Sequence, residues 1–253
     1  MKLLPPINPS VNLIADYQKK LKEILDDMQN SIEYYLKSKI ENAKESIFDA
    51  NPVDDLQSKI NEIKRQYTKR YKNFANLYAK ALVKKVEIDT SKRLERQLKA
   101  NEVMGVDFKM TRSMINTMKT SVKWNVSLIK TIPDKYFSRI ESTIMESLNK
   151  GRDMAGLYTK LKDDYDLTKR QSYLIASDQT KKATYAITKA RKLELGLYKS
   201  IWRHSKVSKV PRPPHLKADG KSFDIRKGLK IDGEYIFPKQ KIGCNCYEQT
   251  VIK

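Results

Sequence analysis

Cysteine is almost absent from this chain: of 253 residues only Cys244 and Cys246 are cysteines, with Asn245 between them. A disulfide framework is thereby excluded, a bond between these two would close a small strained ring, and a reducing compartment is expected. No stretch approaches the roughly 18 uninterrupted apolar residues of a membrane span. Pro5 and Pro6 cut short the opening Met1-Lys2-Leu3-Leu4 before a signal-like segment can form. A soluble, unsecreted protein with no membrane partner is expected. Also missing are a Gly-rich phosphate loop, a His-Glu-X-X-His pair and a Gly-X-Ser-X-Gly elbow. With 2 histidines in the chain, a nucleophile and base pair has little to draw on, so no enzyme is expected.

Positive charge is abundant. Lysine and arginine number 51 against 30 acidic residues, a net charge of +21 and a sequence pI near 9.7. Such an excess suits a polyanionic partner, double-stranded DNA first, while lysine on solvated helix faces accounts for the same composition.

The pattern predicts a mainly α fold, a long helical N-terminal region followed by a small C-terminal α+β module of short strands and loops. From Ile14 to Ile47 apolar residues recur at three-four spacing behind Ser10, a candidate cap. Asn51-Pro52 opens a second helix through Ala81, able to pair with the first as a hairpin. Further helices are expected from Asp89 or Thr90 to Val103, Thr111 to Ile129, Pro133 to Gly151, around Leu157 and Leu161, and from Thr168 to Gly196. Beyond Gly196, prolines and the Asp219-Gly220 and Asp232-Gly233 turns punctuate short extended runs at Leu197 to Trp202, Lys221 to Ile225, Glu234 to Phe237 and Tyr247 to Ile252. The expected division is a helical region over 1–130 and a C-terminal domain over 131–253, with helices in 133–196 and the small module in 197–253.

Every histidine and cysteine, His204, His215, Cys244 and Cys246, falls in the last 50 residues. One explanation is a single zinc ion held by two thiolates and two imidazoles; the other is two small buried cysteines with histidines hydrogen-bonded across a turn. The enzymatic alternative is a metal-dependent nucleic-acid-processing enzyme working through His204, His215, Cys244 and Cys246, or a nuclease using His204, His215 and Asp219, the ion activating water. From Lys199 to Lys253 there are 13 basic and 5 acidic residues. Arg203, Lys206, Lys209, Arg212, Lys217, Lys221, Arg226 and Lys227 are candidate phosphate contacts. The interleaved Trp202, Phe223, Tyr235, Phe237 and Tyr247 suit a small core or base stacking.

The run Trp202-Arg203-His204-Ser205, Pro211-Arg212-Pro213-Pro214-His215, Ala218-Asp219-Gly220-Lys221, Phe223-Asp224-Ile225, Lys227-Gly228, Phe237-Pro238 and Cys244-Asn245-Cys246 resembles the C-terminal signature of the phage Mu F-like minor head proteins, the phage head morphogenesis family. Ile175 to Thr180, leading through Gly196 to Trp202, resembles the helix before it. Trp202, Pro213, Asp219, Gly220, Phe223 and Pro238 are its structural signature. Ser177 and Asn245 stand where the family often has arginine. The resemblance implies a minor capsid protein of a tailed bacteriophage, assembled in the host cytoplasm and lodged inside the head near the portal. Portal protein, major capsid or scaffolding protein, and packaged DNA would be its partners.

Overall fold

A computed structural model describes residues 2–45, 52–103, 105–149, 154–207 and 210–252. The mainly α fold with a small antiparallel module near the C-terminus is borne out. Four long helices, α1 (Val11–Glu45), α2 (Pro52–Lys99), α3 (Arg112–Asn149) and α4 (Met154–Glu194), precede or flank short elements. These are β1 (Lys2–Leu4), β2 (Lys199–Arg203), α5 (Pro213–Lys217), β3 (Ser222–Asp224), β4 (Leu229–Ile231), β5 (Glu234–Ile236) and β6 (Tyr247–Ile252). Ser10 caps α1, its Oγ accepting from Leu13 N at 3.4 Å. Ile47, Asn51 and Gly151, expected at helix ends, lie outside the described residues.

Three expected breaks are absent. Helix α2 runs through Asp89 and Thr90 because its apolar face simply rotates: Ile60, Ile63, Tyr67 and Tyr71 are buried, then Ala75, Ala79, Leu82, Val83 and Val86, leaving Leu77 exposed. The drift follows from 3.6 residues per turn. Helix α3 carries Pro133 inside it. A mid-helix proline costs about 3 kcal/mol, and burial of Ile129, Ile132, Tyr136, Phe137 and Ile140 on both sides of it offsets that cost. In α4 Thr168 is interior rather than a cap; its hydroxyl donates to Asp164 O at 2.7 Å, the back-bonding a helical threonine makes to the previous turn. Gly196, at φ 71, does close α4, with Leu197 N donating to Lys192 O at 2.9 Å.

The chain forms two compact units, the first comprising Met1–Ile14, Lys80–Trp124 and Ser177–Lys253, the second Ala15–Ala79 and Asn125–Ala176. The described residues of the second are all helical. Tyr17, Leu21, Leu25, Met28 and Ile32 of α1 form its buried stripe, and the Tyr17 hydroxyl donates to Asn125 Oδ1 at 3.1 Å.

The first unit holds the sheet, in the order β1-β6-β2-β3 with every neighbour antiparallel. Two strands were not expected from sequence. β1 pairs Leu4 with Thr250 of β6, and β4 pairs with β5 across Asp232-Gly233, both at positive φ as a two-residue hairpin turn requires. The segment around Pro213 and Pro214, expected as loop, makes the short helix α5, with proline in its first turn. Leu4, Ile7, Leu94, Leu98 and Ile252 form one apolar cluster, and Trp202, Ala218, Phe223, Ile225, Ile236, Cys244 and Cys246 another.

Candidate metal centre and basic surface

Helix α5 presents His215 inward, and the segment leading into β6 brings Cys244 and Cys246 against it. All three are buried, and their ligand atoms lie within 4.8 Å of one another. His215 Nδ1 is 3.6 Å from Cys244 Sγ and 3.5 Å from Cys246 Sγ. Zinc bonds of about 2.3 Å to sulfur and about 2.0 Å to nitrogen at a tetrahedral angle would set nitrogen and sulfur roughly 3.5 Å apart. The two nitrogen-to-sulfur spacings therefore suit a metal ion held by these three residues.

The electrostatics agree. A hydrogen bond from the Cys246 thiol holds the Cys244 thiol down at about 5, and the same contact, with burial, pushes Cys246 up. The pair thus shares one proton between two sulfurs. Trp202 Nε1, fully buried, makes no hydrogen bond among the described residues, yet the indole N–H lies beside the Cys246 sulfur and favours its thiolate. The Cys-X-Cys segment is pinned to α4: Lys181 Nζ donates to Asn245 Oδ1 at 2.8 Å, and Gly243 N to Asp178 Oδ1 at 3.3 Å. Asn245 does its work through that lysine.

His204 does not join the group. β2 has ended at Arg203, and the His204 backbone N–H instead donates to Asp219 Oδ1 at 2.9 Å. Among the described residues, His204, His215 and Asp219 do not form a ligand cluster of the kind a nuclease would use. The other signature residues are structural. Trp202 and Phe223 are core with Pro238 also buried, Pro213 starts α5, and Gly220, at φ 78, donates to Trp202 O at 2.9 Å.

Of the candidate phosphate contacts, Lys206, Arg212, Lys217, Lys221, Arg226 and Lys227 are exposed, and Arg203 is half-buried. Lys209 lies outside the described residues. Three of the arginines are already engaged: Arg203 donates to Gln249 Oε1 at 2.6 Å, Arg212 to Ile242 O at 2.9 Å, and Arg226 pairs with Asp224 at 2.6 Å over the Tyr198 ring. The lysines are the freer cations.

Two buried ionic groups of this unit have no sequence signal. Arg191, about 1% exposed, donates to Glu87 at 2.6 Å, to Glu194 at 3.0 Å, to Ser91 Oγ at 3.1 Å and to Lys109 O at 2.6 Å. Lys192 donates to Glu248 Oε1 at 2.8 Å, both buried. In sequence, both arginine and lysine look like part of a solvated helix face.

Residues 138–248 match the model of the family described as phage Mu protein F like protein. The match bears out the resemblance carried by the motifs from Trp202 to Cys246. The chain is also similar to a Haemophilus influenzae protein described as uncharacterized, 24% identical over 259 residues that cover 98% of this chain and 55% of that protein. The chain spans about half the length of the curated relative it matches. No solved structure matches. No described helix is long and apolar enough to cross a membrane.

Proposed function

We propose that this is a minor capsid protein of a tailed bacteriophage that acts in head assembly or DNA delivery, inside the head near the portal, with no catalytic turnover. The match of residues 138–248 to the phage Mu F-like family carries this reading. The functional division falls between a helical region over 1–130, which contacts portal, major capsid or scaffolding protein, and the family domain over 131–253. Exposed Lys206, Lys217, Lys221 and Lys227 neutralise packaged DNA through its phosphates, without base readout. A zinc ion held by His215, Cys244 and Cys246, with a fourth ligand from outside this group completing the tetrahedron, staples the short strands together.

Fluorescence anisotropy with duplexes of unrelated sequence tests the DNA part. Affinity should be the same for each and fall at least about tenfold between 50 and 200 mM salt, as counterion release demands. Salt-independent binding, or none, overturns it. Co-expression with the cognate portal protein tests placement: the full chain should co-purify, and failure to enter purified heads overturns the virion assignment.

A further inference from the structure

His215, Cys244 and Cys246 leave a tetrahedral ion one donor short, since closed structural zinc sites take four ligands. The strand register shows where a fourth can come from. β2 and β6 pair Ser200 with Thr250, Ile201 with Gln249, Trp202 with Glu248 and Arg203 with Tyr247, and one further step of that register sets His204 across from Cys246. Residues opposed in this way point to the same face of the sheet, and the faces alternate along each strand. Trp202 and Glu248 are buried, Arg203 and Tyr247 are half-buried on the other face, and the next pair returns to the inner face, where Cys246 is buried. The segment after β2 stays beside that sulfur, because the Ser205 backbone N–H donates to Cys246 Sγ. Asp219 holds the same backbone from the other side, accepting from His204 N at 2.9 Å. That bond uses main chain only. The His204 imidazole is half-buried and makes no hydrogen bond among the described residues.

We infer that His204 is the fourth ligand, its imidazole turning onto an ion held by His215, Cys244 and Cys246. The inference rests on the zinc site proposed above. Directly opposed Cβ atoms stand about 4.5–5.5 Å apart, and metal bonds of about 2.0 Å from nitrogen and about 2.3 Å from sulfur bridge that gap by rotation of the His204 side chain alone. With its backbone tied at Asp219, no strand has to shift. Without the ion, its ring nitrogens stand outside the cluster of ligand atoms. Zinc X-ray absorption of the full chain is the test. The wild type should show two sulfur and two imidazole neighbours per ion, and His204→Ala two sulfurs with a single imidazole. His204→Ala keeps the backbone donor to Asp219, so the two metal-free chains should melt together; should they not, His204→Asn, closer in size, takes its place. In competition with a chelator the variant should lose more zinc affinity than the roughly 10–100-fold that an outer-shell substitution costs. Lys206→Ala, exposed on the same segment, should lose none. Two sulfurs, one imidazole and an oxygen in the wild type, or equal affinity in wild type and His204→Ala, overturns the inference and leaves the zinc reading standing. A wild type that retains no zinc brings down both.

Discussion

Trp202 meets His215 edge-on, ring centroids 5.5 Å apart and planes at 90°. The fully buried indole thereby reports on the ring that would ligate a metal. His215→Phe should retain the aromatic contact while deleting Nδ1. Elemental analysis should find about one zinc per wild-type chain and far less in the variant, and chelator should lower the melting temperature of the wild type alone. An equal chelator response in both would rule out His215 as a ligand.

Arg191 and Glu87 form a buried pair at 2.6 Å, whereas Arg226 and Asp224 form one at the surface. Arg191→Met strands a carboxylate in the core and should cost about 3–5 kcal/mol in urea denaturation. Arg226→Met should change little, since exposed pairs contribute weakly. Similar costs for the two would refute the burial argument.

Gly228 has φ 90, and a Cβ there would stand 2.8 Å from Ile236 O and 3.2 Å from the Phe237 ring. At Gly105, φ 74, a Cβ would meet open space. Gly228→Ala should therefore destabilise by more than Gly105→Ala, whose cost is the left-handed backbone alone, about 1 kcal/mol. Thermal melting of the two variants decides it.

Burial lowers Lys239 from its usual value of 10.5 to about 8; Glu248 opposes that shift, and Lys181 and Lys192 add to it. Cys244 also faces this group and raises it. Between these values the unfolded chain binds more protons than the folded one, so the Lys239 contribution to stability grows as pH rises from about 8 to 10.5. The difference in unfolding free energy between wild type and Lys239→Met should therefore move in favour of the wild type across that window. A difference independent of pH would contradict the burial.

Much of this fold was legible. Helical periodicity, the Gly196 closure, the Asp232-Gly233 turn and the convergence of Cys244, Cys246 and His215 follow from spacing and side-chain chemistry. The misses share a cause. Pro133 and Thr168 are local signals that tertiary packing overrode, and the α2 face rotates through positions that a fixed stripe treats as outward. β1 is too short to announce itself, its partner β6 lying at the far end of the chain. Arg191, Lys192 and Lys239 were invisible as buried groups because charge on a helix or loop reads as solvation until a buried carboxylate is placed beside it. His204 shows the converse: clustering in sequence did not bring it into the ligand group, since a turn at Asp219 captured its backbone.

The pairing of β1 with β6 sets a clock on the ribosome. In the sheet order β1-β6-β2-β3 the strand made last sits between strands made earlier, so neither β1 nor the β2 edge facing it finds its ladder until Thr250 has emerged. At roughly 5–20 residues per second, Leu4 waits on the order of 12 to 50 s for that partner. The helices of the second unit can pack in the meantime, whereas the Cys-X-Cys segment becomes available with β6 itself. Translational pausing near the last strand should therefore lengthen the life of an unpaired β1, and a chaperone that shields short apolar strands would act on this protein during synthesis rather than after it.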